Sequence, residues 1–377
     1  MNQSSPFQSF LMGGFECSTH RRPSGRRVDV IDATAHDRHA HADYQRLAQV
    51  GLRTARDGLR WHLIERRPGE YDFLSAEAQV RAAQAAGVQV IWDLMHYGFP
   101  DFIDLLRPEF PGQFADYALA AMRFLRSFTT GTLWLCPINE ISFSAWAGAE
   151  VGYFNPCLHG RGAELKRQLV RAVAAASQAI CRADSDVRFL HAEPLIRVHP
   201  SPKFDPFEAA LEHEGQFETF DLLCGAREPE LGGHPELLDV LGVNYYPYNQ
   251  WLHHPEVEGR ITLNAAHPTY QPLHELLAQV HARYGRPVLI AETGTEGDER
   301  APWLDMVLRQ SALARRAGVT LLGVCLYPVV NHPGWDDDRH CHNGLWDYAD
   351  AHGRREAHQP LLARLQHGPR ALATAHP

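Results

Sequence analysis

Glu140 and Glu292 are the two residues of this sequence best placed to do chemistry together. Glu140 ends the run LCPINE and Glu292 lies in VLIAET, each just after a short apolar, strand-like segment. A carboxylate in such a place is costly if it is buried and unpaired. Taken singly, either is as well explained by a salt bridge at the rim of a fold, because carboxylates are seldom fully buried. Taken together and facing one pocket, they could cleave a glycosidic bond. One carboxyl must be protonated, to help the leaving oxygen depart. The other must be ionised, to attack the sugar's anomeric carbon. Their surroundings must therefore push their pKa values apart. Arg56 and the hydroxyl of Tyr246 are the candidates to hold Glu292 ionised, since a cation and a hydrogen-bond donor both favour a carboxylate.

The elements that would position them alternate along the chain. Strand-like runs are expected near 10–15, 52–59, 88–95, 132–138, 187–192, 239–244, 287–291 and 321–327. Helices are expected near 37–50, 75–86, 114–127, 163–183, 270–284 and 302–317. Gly51, Gly87, Gly285 and Gly318 close four of the helices, and Ser75 reads as an N-cap. Sustained strand–helix alternation means a parallel sheet with helical crossovers, the α/β class. Eight units favour a closed (β/α)8 TIM barrel over an open sheet. No Gly-x-Gly-x-x-Gly follows an early strand, which counts against a dinucleotide site. The active site of such a barrel lies at the C-terminal ends of its strands. Those ends carry Arg56, Asp93, His96, Asn139-Glu140, Glu193, Asn244-Tyr245-Tyr246, Glu292 and Tyr327, with Asn331, Trp335 and three aspartates following.

Composition sets the outer bounds. The 377 residues exceed the roughly 250 of a typical barrel and suit one with long loops. With no Ser/Gly- or Pro-rich linker, a single domain over 1–377 is expected. A hydrophobic content of 45% permits a sizeable core. The net charge of −9 argues against nucleic acid or an anionic membrane as partner. Seven scattered cysteines without a CxxC read as reduced thiols, and no basic, apolar leader is visible, so a cytoplasmic protein is expected. No apolar run approaches a membrane span.

The motifs resemble those of glycoside hydrolase family 1, the β-glucosidase family, in order and over nearly the whole chain. ARDGLRW (55–61) resembles YRFSISW, DLMHYGFP (93–100) resembles TLYHWDLP, and PINEI (137–141) resembles TFNEP. LGVNYYPY (241–248) resembles INYYT, and LIAETG (289–294) resembles ITENG. More loosely, LYPVVNHPGWDDDRHCHNGLWD (326–347) resembles the stretch from the strand-eight tryptophan onward. The resemblance implies Glu292 as nucleophile, Glu140 as acid/base, and Arg56 and Tyr246 as supports of the nucleophile. It also implies Asn139 and His96 as sugar contacts. Asn244, Tyr327, Trp335, Asp336 and Asp337 join them as candidate substrate-binding residues. A small-molecule glycoside or oligosaccharide is the implied partner, with neither cofactor nor metal, and the oligomeric state is left open.

The departures concern the grip on the sugar. In FLMGGFECSTH (10–20) the family's glutamine is replaced by His20. The family's glutamate before the late tryptophan falls on Gly334, and the strand-eight tryptophan on Tyr327, followed by a Pro328 that permits a cis bond. Asp336, Asp337 or Asp338 could supply the lost contacts. Trp335 is the best sugar platform, while Trp61, Trp92, Trp134 and Trp146 read as core or rim packing. HDRHAH (36–41) reads as a solvated helix start, and His340-Cys341-His342 as a polar rim loop rather than a zinc pattern. Glu193 is ambiguous and Asp57 unexplained. A metal-dependent barrel hydrolase ranks low, because His191 has no His-x-His on strand one to join. A transglycosidase would share every catalytic residue, and a sugar-binding barrel without catalysis would have no use for both glutamates.

Overall fold

The computed structural model of the chain describes residues 5–257 and 259–367. Eight parallel strands close into a barrel in sequential order. They are β1 (Leu11–Gly14), β2 (Thr54–Gly58), β3 (Gln89–Met95) and β4 (Leu133–Ile138), then β5 (Val187–Pro194), β6 (Val240–Asn244), β7 (Val288–Thr293) and β8 (Leu321–Leu326). Each hands the chain to helix: α1 (His36–Gln49), α2 (Leu74–Ala86), α3 (Phe110–Arg126), α4 (Gly162–Ala183), α5 (Glu218–Leu223), α6 (Leu273–Tyr284), α7 (Arg300–Arg316) and α8 (Gln359–His367). β1 pairs with β8 as well as β2, which closes the ring. The (β/α)8 expectation is thus met, with strand limits within about three residues of the sequence reading.

The strands are buried on both faces, as parallel strands between two apolar layers must be. Side chains pointing inward, among them Met12, Ile91, Trp134, Leu190 and Leu289, form a packed interior capped below by Phe7. Those pointing outward pack on the helices in one continuous layer. Gly87 and Gly285 end α2 and α6 at φ +64° and +61°, the left-handed conformation that makes glycine the residue of choice there. Ser75 is not the N-cap of α2. The helix starts one residue earlier, and the carboxylate of Asp72 accepts the backbone N–H of Leu74.

Small sheets lie outside the barrel, the largest joining 197–199, 250–252 and 261–262. Tyr327–Pro328 is cis. All seven cysteines are free. Among the described residues no helix is long and apolar enough to cross a membrane.

Candidate active site

Strand register places Arg56 inside the barrel, under the cavity at its C-terminal end. The guanidinium is 1% exposed and donates Nη1 to Glu292 Oε1 at 2.9 Å. Its Nη2 reaches Asp93 Oδ2 at 2.6 Å and Asn139 Oδ1 at 3.0 Å. The other oxygen of Glu292 accepts the hydroxyl of Tyr246 at 2.8 Å. Asp93 also holds His96, Nδ1 to Oδ2 at 2.9 Å. Against the burial that would raise it, Arg56 and His96 keep the Asp93 carboxyl below its ordinary range.

Glu140 stands at the tip of β4 in a left-handed conformation, φ +44°, uncommon for a residue with a side chain and typical of functional sites. The kink aims its carboxyl into the cavity. There it meets neutral donors: Tyr97 Oη at 2.5 Å and Asn244 Nδ2 at 2.8 Å. Burial first, and then the charge of Glu292, push the Glu140 carboxyl up to about 8. Burial, with the charge of Glu16, raises Glu292 too, and Arg56, His96 and Tyr246 offset only part of that rise. With a guanidinium beside only one of them, the first proton taken up by the pair belongs on Glu140.

The other expected residues fall into two groups. His96, Asn244, Tyr327, Trp335, Asp336 and Asp337 line the cavity with the two glutamates and Tyr246. Asn139 lies just beneath, its amide directed to His96 Nε2 (3.2 Å) and Tyr97 Oη (3.0 Å). His20 is a correction. It is 2% exposed and set behind the wall, packed on Trp335 at 4.8 Å and Phe154 at 5.3 Å. Gly334 has a local cause, since a Cβ there would meet Asp337 Oδ1 at 2.2 Å. Asp337 thus fills the space a side chain at 334 would enter. Asp338 faces away and pairs with Arg22 and Arg26.

Several residues escaped the sequence reading. Glu16 on the segment after β1 lines the cavity near His96, its Oε1 3.9 Å from His96 Nε2 and accepting the Ser18 N–H at 2.9 Å. Although burial would raise it, His96 and His332 hold its carboxyl low. Tyr97 follows His96 within the same motif but was given no role, and its φ of +64° turns it onto Glu140. Glu193, left ambiguous, accepts the backbone N–H and hydroxyl of Ser142 on the segment after Glu140, and burial pushes it up to about 7.

HDRHAH is not a solvated start throughout. His36 is 1% exposed and bridges Asp43 (2.9 Å) and Asp57 (3.1 Å), which also explains Asp57. His191 is buried and bonded to the Leu237 carbonyl at 2.9 Å, away from the cavity. On the rim, His340 pairs with Asp347 at 2.6 Å and stacks on His342 at 4.4 Å.

No protein-family model matches this chain, and no curated protein sequence does. Solved structures match it over nearly its full length. The β-glucosidase from Thermotoga maritima in complex with glucoimidazole superposes with a TM-score of 0.79 at 15% identity, covering 96% of this chain and 98% of that one. The family 1 β-glucosidase from the same organism gives 0.77 at 15%, covering 94% and 96%. The AHE enzyme from Alicyclobacillus herbarius gives 0.76 at 17%, covering 92% and 88%. At these identities the likeness establishes a shared fold.

Proposed function

We propose that this chain is a divergent member of glycoside hydrolase family 1, a single-domain retaining β-glycosidase. The observation that carries the reading is the asymmetry of the two carboxyls in one cavity. Glu292 is clamped between a buried guanidinium and a tyrosine hydroxyl, whereas Glu140 has only neutral donors and is pushed up to about 8. One is built to be an anion and the other an acid.

In the first step Glu140 gives its proton to the glycosidic oxygen as that bond to the anomeric carbon breaks. Glu292 attacks the same carbon and forms a covalent glycosyl ester. In the second step Glu140, now ionised, takes a proton from water, whose oxygen displaces Glu292 and releases the sugar with its configuration retained. Arg56 and Tyr246 orient the nucleophile. His96, Asn139, Asn244 and Glu16 supply donors and acceptors for sugar hydroxyls, and Trp335 a flat face for the ring. Glu16, acceptor-only when ionised, takes over the part first given to His20. The substrate is a small-molecule glycoside or oligosaccharide, and a cytoplasmic setting agrees with seven free thiols.

A panel of aryl β-glycosides (glucoside, galactoside, fucoside, mannoside, xyloside, glucuronide), run on the wild type and Glu292→Ala, tests the reading. Release by the wild type that is lost in the variant upholds it and identifies the sugar. Undiminished release by Glu292→Ala removes Glu292 as nucleophile. The mechanism further requires the two carboxyls ~5–5.5 Å apart, and a crystallographic separation above ~6.5 Å would indicate inversion.

A further inference from the structure

The cavity does not end at the reacting carboxyls. Its volume is about 1010 Å³, at the top of the roughly 300–1,000 Å³ usual for small-molecule sites, and more than one sugar ring needs. The segment after Glu140 carries Phe143 and Trp146 along one side, and Trp146 is 45% exposed. On the other side Tyr246, whose hydroxyl holds Glu292, stacks on Tyr248 at 5.6 Å with the rings nearly parallel. Tyr248 is 56% exposed. Aromatic faces therefore run outward from the nucleophile and from the acid alike.

Arg260 closes this corridor. Its guanidinium lies over the Trp251 ring at 3.9 Å and 5.9 Å from the Trp146 ring, within reach of cation–π attraction to both. Among the described residues it makes no hydrogen bond or ion pair. Glu212 is the acid that acts on it, but both Glu212 oxygens are engaged, by Trp251 Nε1 at 3.0 Å and His253 Nδ1 at 2.7 Å. An exposed guanidinium that lies over the Trp251 ring and has no acid of its own is suited to a planar anion.

We infer that this outer half is a leaving-group subsite for an aryl aglycone bearing a carboxylate, with Arg260 as the carboxylate's partner. The inference rests on the glycosidase reading, since the aglycone is the group that departs past Glu140. The rings stack on the aryl plane, and Arg260 binds the charged end. On a chain of net charge −9, general electrostatics would disfavour such a ligand, so a preference for it must be local.

The test compares the 4-carboxyphenyl β-glycoside of the preferred sugar with its methyl ester in wild type, Arg260→Ala and Arg260→Lys. Because each substrate is compared with itself across variants, leaving-group reactivity cancels. Arg260→Ala is expected to lower kcat/KM for the acid about tenfold, mainly through KM, and to leave the ester within about twofold. Arg260→Lys should keep part of the preference, and salt at about 0.5 M should shrink it. Equal loss on both substrates, or none on either, overturns the inference. If no aryl glycoside is turned over, the glycosidase reading fails. Calorimetric titration of wild type and Arg260→Ala with 4-hydroxybenzoate and its methyl ester then still decides the subsite. Tighter binding of the acid that is lost in the variant upholds it, and equal binding of acid and ester overturns it.

Discussion

Arg56 and Asp57 are neighbours on β2, and each starts a buried ionic network. Strand alternation sends them to opposite faces. Arg56 points into the barrel, to Asp93, Asn139 and Glu292. Asp57 points out to the helices, where His36, the Tyr44 hydroxyl (2.7 Å) and Gln79 hold it. The outer network continues through His36 to Asp43, which Arg46 and Arg355 also hold. There two carboxylates face three cationic groups, and no acid is left uncompensated. Inside, four carboxyls stand together: Glu16, Asp93 and Glu292 share Arg56 and His96, and Glu140 has only neutral donors. Both networks are buried, the inner one along the cavity wall and the outer one in the core. The outer one has its charges matched, so it holds structure together. The inner one is short of cations, so one of its acids must keep a proton, and that proton is the one the proposed mechanism uses.

The contrast is broken most severely at Glu292, the proposed nucleophile. Glu292→Ala should lower turnover by about 10^4-fold or more, as loss of a nucleophile does elsewhere. Arg56 keeps Asp93, so the fold should survive, as circular dichroism and thermal melting would verify. The opposite result is expected outside. His36→Ala leaves Asp57 without its cation and should cost about 3 kcal/mol in denaturant titrations, with kcat on the best aryl glycoside unchanged. The His36 imidazole is held up at about 9 by Asp57 and Asp43, in spite of burial that would lower it. A histidine bound more tightly to its proton when folded adds stability that is full below about 6.5 and fades as pH rises through about 9. The cost of His36→Ala should fade over the same window. A loss of kcat comparable to the loss of stability would mean that the two networks are not separate.

The inner network was the more legible of the two. His96, Asn139, Glu140, Tyr246 and Glu292 lie at or just past the C-terminal ends of strands, with Arg56 inside β2, and apolar runs after helix-closing glycines located several of those strands. Asp57 sat beside Arg56 in the same motif yet stayed unexplained, because its partners come from α1 and α2. A burial some twenty residues away leaves no local mark. His36 misled for the same reason, since HDRHAH is polar throughout and only the fold separates buried His36 from exposed His41. Glu16 and His20 show the limit of motif order. After β1 the chain bends, and four residues decide which side chain faces the cavity and which supports Trp335.

If the inner network is short of cations, removing an acid from it should stabilise the protein. Glu140 binds its proton far more tightly folded than unfolded, so its contribution to stability is present at low pH and is lost as pH climbs toward about 8. Glu140→Gln removes that titration. The variant should melt higher than wild type, barely so at pH 5 and by an amount on the order of 2 kcal/mol at pH 9. A variant that melts lower at both pH values would show that Glu140 is as well compensated as Asp57.

The smallest effect is expected one residue further from the reaction. Glu193 does not line the cavity. It positions the Ser142 backbone next to Glu140, and its charge adds to the forces raising the Glu140 carboxyl. With its own carboxyl pushed up by burial to only about 7, it ionises before Glu140 does. Each negative charge near Glu140 makes the second ionisation harder, so the alkaline limb of kcat/KM, set by loss of the Glu140 proton, lies higher for its presence. Glu193→Gln keeps an oxygen for Ser142 and removes the charge. The alkaline limb should move to lower pH by less than about one unit, with kcat at pH 6 within a few-fold of wild type. A purely structural Glu193 would lower the whole profile without moving the limb. A limb that moved to higher pH would mean that Glu140 takes its proton affinity from something other than crowded carboxylates.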